Sequence, residues 1–204
     1  MVKRELLRGI AAGVMIGIGG AVFLASENKV VGAVLFAVAL LSICLLGLSL
    51  FTGKVGFLAY NHKKADFGGV LVCLLGNLIG TFLSAFLAVL SKPSYAVVAR
   101  DMCEGKLGKG FGEIIGGAIL CGVLMFTAVY TYRNNKTLAG IFFCVPVFIL
   151  SGFEHSIADM FYFWASGLYT LKTLLFIGLV IVGNAIGGVL IPSLLLLSEG
   201  KKND

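Results

Sequence analysis

Ser151-Gly152-Phe153-Glu154-His155-Ser156-Ile157-Ala158-Asp159-Met160 is a polar, glycine-marked interruption inside an apolar run covering 138–163. A helix needs about 20 apolar residues to cross the hydrocarbon core of a bilayer, and this run is long enough. Non-helical backbone at membrane depth leaves N–H and C=O groups that lipid cannot satisfy. It is tolerated only where protein buries it or where it lines a water-filled cavity. Glu154, His155 and Asp159 fall in or beside the break, and ionisable groups at such depth are costly and mark pathways. The stretch is therefore the leading functional candidate of the chain.

Five other apolar stretches surround it: 6–25, 30–50, 67–90, 111–130 and 171–197. The chain has 204 residues, of which 59% are hydrophobic and 13% charged. A soluble domain carries roughly a quarter charged residues, so this chain cannot cover a water-facing surface. Retention of the first stretch as a span is expected, rather than cleavage after Ala25. The expected fold is all-α, with six transmembrane helices and the whole of 1–204 as one transmembrane domain. Six spans put both termini on one side. Nine basic residues fall on that side (Lys3, Arg4, Arg8, Lys63, Lys64, Arg133, Lys136, Lys201, Lys202) and six on the other, with Lys54 unassigned. The bias favours cytoplasmic termini in a plasma (inner) membrane. The basic runs orient the chain, and no nucleic-acid partner is implied.

A weak internal repeat links the halves, about 6–90 and 111–197. Gly76-Asn77-Leu78-Ile79-Gly80 is echoed by Gly183-Asn184-Ala185-Ile186-Gly187. Upstream of each is a polar break, at Leu50-Phe51-Thr52-Gly53-Lys54 and at Gly152-Phe153-Glu154-His155-Ser156. Three spans per half give the halves opposite topology, so helices 2 and 5 are expected to be broken, with a site where the breaks meet. The half-helices resuming there present unpaired N–H donors that attract anions. Thr52 offers a hydroxyl to an anion or to His155, or a bond to its own helix. Glu154 is expected to accept hydrogen bonds from the loop backbone. Residues 91–108 read as a solvated loop, with Lys106 and Lys109 close enough to a pore mouth to concentrate anions. Tyr162, Trp164 and Tyr169 fit an interfacial belt. The five cysteines form no CxxC or Cys/His cluster, so neither metal, cofactor nor disulfide framework is indicated.

The run from Ser151 to Met160 resembles the signature of the formate/nitrite transporter family. Leu50-Phe51-Thr52, the two Gly-Asn pairs, Phe111, Glu113 and Leu120-Cys121 extend the likeness over nearly the whole chain. The resemblance implies an aquaporin-like fold, a homopentamer with one pore per protomer, and passage of formate, nitrite, hydrosulfide or lactate. It also implies that His155 is the central pore histidine, Thr52 its neighbour and Lys106 a vestibule lysine. Leu40 and Phe148 match constriction residues, and Phe36 joins the same apolar path. Two positions depart from the pattern: Asp159 stands where asparagine is common, and Gly122 where asparagine often follows the Leu-Cys pair.

The expected function is passage of small monovalent weak-acid anions, with protons as partners and the bilayer as surroundings. A bare anion meeting apolar rings pays several kcal/mol of desolvation, and protonation beside His155 removes it. Either the imidazole donates that proton, or it only hydrogen-bonds and the proton comes from water. A pore for water or small neutral solutes is the alternative, although no Asn-Pro-Ala motif is present. An enzyme is not expected: no HExxH, Ser/His/Asp set or nucleotide motif appears.

Overall fold

The computed structural model describes residues 2–60 and 63–199, and its regular elements are all helical. In order they are α1 (Val2–Ala25), α2 (Lys29–Leu45), α3 (Phe51–Lys54) with a 3-10 turn (Val55–Ala59), α4 (Lys64–Ser91), α5 (Ser94–Leu107), α6 (Phe111–Asn135), α7 (Ala139–Leu150), α8 (Ser156–Ser166) and α9 (Leu171–Ser198). Helices α1, α4, α6 and α9 are long and apolar enough to cross a membrane, whereas α2 and α7 are apolar but shorter. His62, Lys201 and Lys202 lie outside the described residues.

The long helices pair where glycine removes the side chain between them. A Cβ on Gly80 would lie 2.1 Å from the Ile10 carbonyl oxygen, and one on Gly13 2.4 Å from that of Asn77. So α1 and α4 approach backbone to backbone, as small-residue spacings allow. The α6–α9 pair is built alike: a Cβ on Gly187 would meet the Ile119 oxygen at 1.9 Å, and one on Gly122 that of Asn184 at 2.3 Å. Gly122 is thus fixed by the closeness of α9, where an asparagine would not fit. Outer faces carry exposed Leu71, Leu75, Phe86 and Leu90 on α4, and Leu171, Leu174 and Leu175 on α9. Such a surface suits lipid or another subunit rather than water.

Helices α2 and α7 end in the same way. The Leu48 N–H reaches back to the Ile43 carbonyl (2.9 Å) and the Phe153 N–H to that of Phe148 (3.0 Å). Gly47 and Gly152 lie just before these donors at φ +63° and +68°. This is the glycine-closed stop that satisfies the last carbonyls of a helix. The chain then runs extended for a few residues before α3 and α8 begin. The second expected span therefore stops at Leu45 rather than Leu50.

A buried asparagine holds each extended segment. Asn77 accepts from the Phe51 N–H (2.8 Å) and donates to the carbonyls of Ser49 and Gly9 (both 2.9 Å). Asn184 accepts from the Ser156 N–H and donates to the carbonyls of Glu154 and Ala118, all at 2.8 Å. Matched this way, Gly47 pairs with Gly152, Leu50 with His155 and Lys54 with Asp159. Thr52, not Leu50, is the polar residue that the sequence sets against His155; the asparagine anchors shift the match by two.

Residues 94–107, read as loop, form the 14-residue helix α5. Its inward face carries Ala99 and Cys103, both fully buried. Tyr95, Ala99, Met102, Cys103 and Leu107 form an apolar stripe at helical spacing, which the interleaved Arg100, Asp101, Glu104 and Lys106 disguise as a solvated loop. Tyr162 is buried rather than interfacial, while Tyr169 is exposed and donates to the Trp164 carbonyl at 2.8 Å.

Asn184→Ala removes the partners of the Ser156 N–H and the Glu154 carbonyl. At about 1–3 kcal/mol for each unsatisfied buried group, it should lower stability by roughly 3 kcal/mol. Asn77→Ala should do the same, read as a drop in the thermal midpoint of the solubilised protein. An unchanged midpoint for either variant would contradict the anchoring role.

Candidate functional site

His155 is the residue before α8, and its own backbone position dictates what its ring does. Nδ1 accepts from the Ala158 N–H at 3.1 Å, capping the first turn of α8. With Nδ1 used as an acceptor, the ring proton of the neutral imidazole sits on Nε2. Nε2 lies 2.8 Å from Thr52 Oγ1, so it donates to the hydroxyl. The Thr52 O–H is left to donate elsewhere. Of the two readings open for Thr52, contact with His155 is the one found. Both residues are buried, Thr52 wholly, and they join α3 to the start of α8.

An apolar group adjoins the histidine. The Phe148 ring stacks on the imidazole at 5.4 Å between centroids and 25° between planes. Phe36 meets Phe148 edge-on at 6.2 Å. Leu40, one turn along α2 from Phe36, is buried as well.

Two cavities border the helices that carry these residues. One of about 280 Å³ is bordered by His155, Phe36, Phe148, Lys106, Lys109 and Asp159. The other, of about 200 Å³, is bordered by Glu5, Arg8, Ile43, Leu50, Lys54 and Arg133. Along α2, Leu40 falls between Phe36 of the first and Ile43 of the second.

Charges on the first cavity are tightly tied. Lys106 pairs with Glu154, which is wholly buried, and with Asp159 Oδ1 at 2.9 Å. Lys109 pairs with the other Glu154 oxygen at 2.6 Å and donates to the Gly152 carbonyl at 3.1 Å. Burial disfavours the Lys106 charge, but Asp159 and Glu154 outweigh it and hold its pKa above the ordinary value. Glu154 therefore takes ammonium donors, not the backbone N–H groups expected of it. Asp159 is partnered by Lys106. On the second cavity Lys54 pairs with Glu5 at 2.5 Å. That ion pair, the second clamp from Lys109 and the Gly47 stop escaped the sequence reading. The 105-residue interval between Gly47 and Gly152 was a signal that could have found the last.

A model of the formate/nitrite transporter family matches residues 2–198. The chain belongs to the formate/nitrite transporter family. A relative in Bacillus subtilis, the uncharacterized transporter YwcJ, is 30% identical over 77% of this chain and 71% of its own length. Among solved structures, an FNT family ion channel superposes with a TM-score of 0.84 at 24% identity, covering 95% of this chain and 89% of that one. A pentameric formate channel with formate bound gives 0.78 at 22%, covering 95% of both chains. At these identities the two structures establish the fold. Membership of a transporter family, together with four long apolar helices, makes this an integral membrane protein.

Lys106→Met leaves Asp159 unpaired and Glu154 with Lys109 alone. Breaking a buried pair on one side costs about 3–5 kcal/mol, so the variant should unfold well below the parent. Adding Asp159→Asn removes the stranded charge and should recover part of that loss. A double variant no more stable than Lys106→Met would show that Asp159 is not held by Lys106.

Proposed function

We propose that this protein is a channel or transporter for small monovalent weak-acid anions, of the size of formate or nitrite, which pass its centre in protonated form. The carrying observation is the Thr52–His155 pair at 2.8 Å, buried behind Phe148 beside a cavity that Lys106, Lys109 and Asp159 border. An anion reaching the apolar group of Leu40, Phe148 and Phe36 would lose its hydration at a cost of several kcal/mol, and a neutral acid would not.

The capping bond from Ala158 to Nδ1 supports a neutral histidine. An imidazolium would turn Nδ1 into a donor facing another donor. In this reading the proton comes from solution, while His155 orients the Thr52 hydroxyl toward the substrate. The matched ends of α2 and α7, each followed by an asparagine anchor, support six spans arranged as two inverted three-helix repeats, about 6–90 and 111–197, in one domain. The second and fifth spans are then broken at residues 46–50 and 151–155, as in an aquaporin-like plan. Apolar outer faces and the pentameric neighbour support a homopentamer in a membrane, and the bias of basic residues supports cytoplasmic termini in the plasma membrane.

Proteoliposomes test this. Formate and nitrite uptake should quicken as external pH falls, in proportion to the undissociated acid, about tenfold per unit above its pKa. Chloride should not enter. Equal chloride passage, or water flux with no anion flux, would overturn the reading. His155→Asn should slow uptake yet keep its acid stimulation, and loss of that stimulation would make the imidazole the proton donor after all.

A further inference from the structure

Asp159 sits in the first turn of α8 and borders the same cavity as His155. It is 1% exposed. Oδ1 accepts from Lys106 at 2.9 Å, whereas Oδ2 is buried with no hydrogen-bond partner among the described residues. A buried carboxylate oxygen without a donor is costly, and Asp159 holds it in a side chain that borders this cavity.

Charge around this cavity cancels. Lys106 and Lys109 are matched by Glu154 and Asp159. The other groups that neighbour Asp159 are Cys103 on α5, Cys121 on α6 and Tyr162 on α8, with His155 before that helix. Thiols and phenols are neutral near pH 7, and so is the capping histidine. An asparagine at 159 would leave one positive charge uncancelled. At the other cavity Arg8, Lys54 and Arg133 face Glu5, a surplus of cations among its described lining residues.

We propose that Asp159 is a specificity-determining residue that makes this mouth take the undissociated weak acid, an O–H or S–H donor, in preference to its anion. This rests on the weak-acid reading above. A bare anion finds no net positive charge here and meets a carboxylate oxygen, whereas a neutral acid donates to that oxygen. A site built to pair with a donor rejects a ligand that lacks one. The opposite mouth, with its surplus of cations, gathers the anion. The two ends of the path therefore handle different protonation forms of one substrate.

Thiocyanate, the anion of a strong acid, separates the two mouths because it offers no proton. Formate uptake is measured with external thiocyanate in cells lacking their own formate uptake, and again in inverted vesicles from them, so that each mouth faces outward once. Wild type should resist thiocyanate in one preparation and be inhibited in the other. Asp159→Asn should become sensitive in the resistant preparation, by about tenfold in inhibitory concentration, the order expected for one uncancelled charge in a partly desolvated site. It should be unaltered in the other preparation, and Asp159→Glu should restore resistance. Equal sensitivity of wild type on both sides overturns the proposal, and so does an Asp159→Asn profile matching wild type. If the variant does not accumulate, the wild-type comparison decides alone. Absence of formate uptake above cells without the protein would instead defeat the weak-acid reading itself.

Discussion

Two side-chain amides, Asn77 and Asn184, make it possible for the chain to leave helical geometry deep inside an apolar protein. Each supplies one acceptor and two donors to backbone groups of an extended segment and of a neighbouring long helix. Lipid offers no substitute for these bonds. The glycine-mediated closeness of α1 to α4 and of α6 to α9 belongs to the same requirement. An amide side chain on α4 reaches the Gly9 carbonyl on α1 only if the helices nearly touch, and Gly13 and Gly80 allow that. The position of His155 follows: it is fixed between the Glu154 carbonyl and the Ser156 N–H, both held by Asn184.

The same frame carries different electrostatics at its two cavities. Lys54 and Asp159 occupy matching places, one turn beyond the matched residues Leu50 and His155. Each carries an ion pair to a different helix, Lys54 to Glu5 of α1 and Asp159 to Lys106 of α5. Reversing the sign at one of two matched positions breaks the electrical symmetry while leaving the backbone alike. Buried pairs of this kind add little net stability. Their consequence is in the charge that each cavity presents to an approaching solute.

Much of this was legible in the sequence. Hydrophobic run lengths gave the long helices, and the polar residues within 151–160 identified the break at α8, because ionisable groups in an apolar run need a reason. The Thr52–His155 approach across 103 residues followed only from the repeat and the family resemblance, and the distance bears it out. What escaped was pairing. No local pattern says that Glu154 will choose Lys106 and Lys109 over the loop backbone, since that depends on α5 folding back onto α8. The helix itself was hidden because its inward residues, Tyr95, Ala99, Met102, Cys103 and Leu107, are interleaved with four charges. Phe51 and Ser156 were not recognised as matched for a similar reason: only their backbone N–H groups are used, and these carry no residue identity.

The asymmetry between Leu50 and His155 carries the last step. Both stand immediately before a helix that begins inside the protein, and both neighbours are held by an asparagine. Leu50 has no side chain able to cap α3, whose Phe51 N–H is met by Asn77 instead. His155 caps α8, and that single bond fixes the tautomer of its ring. With Nδ1 committed, only Nε2–H faces Thr52, so the hydroxyl is oriented by the fold rather than by the solute. A residue chosen only to cap would serve as well if it were serine or aspartate. Histidine adds a second nitrogen on the far side of a planar ring, which extends the influence of the cap across the path to α3. The proposed chemistry at the centre is in this sense a by-product of how one helix is started.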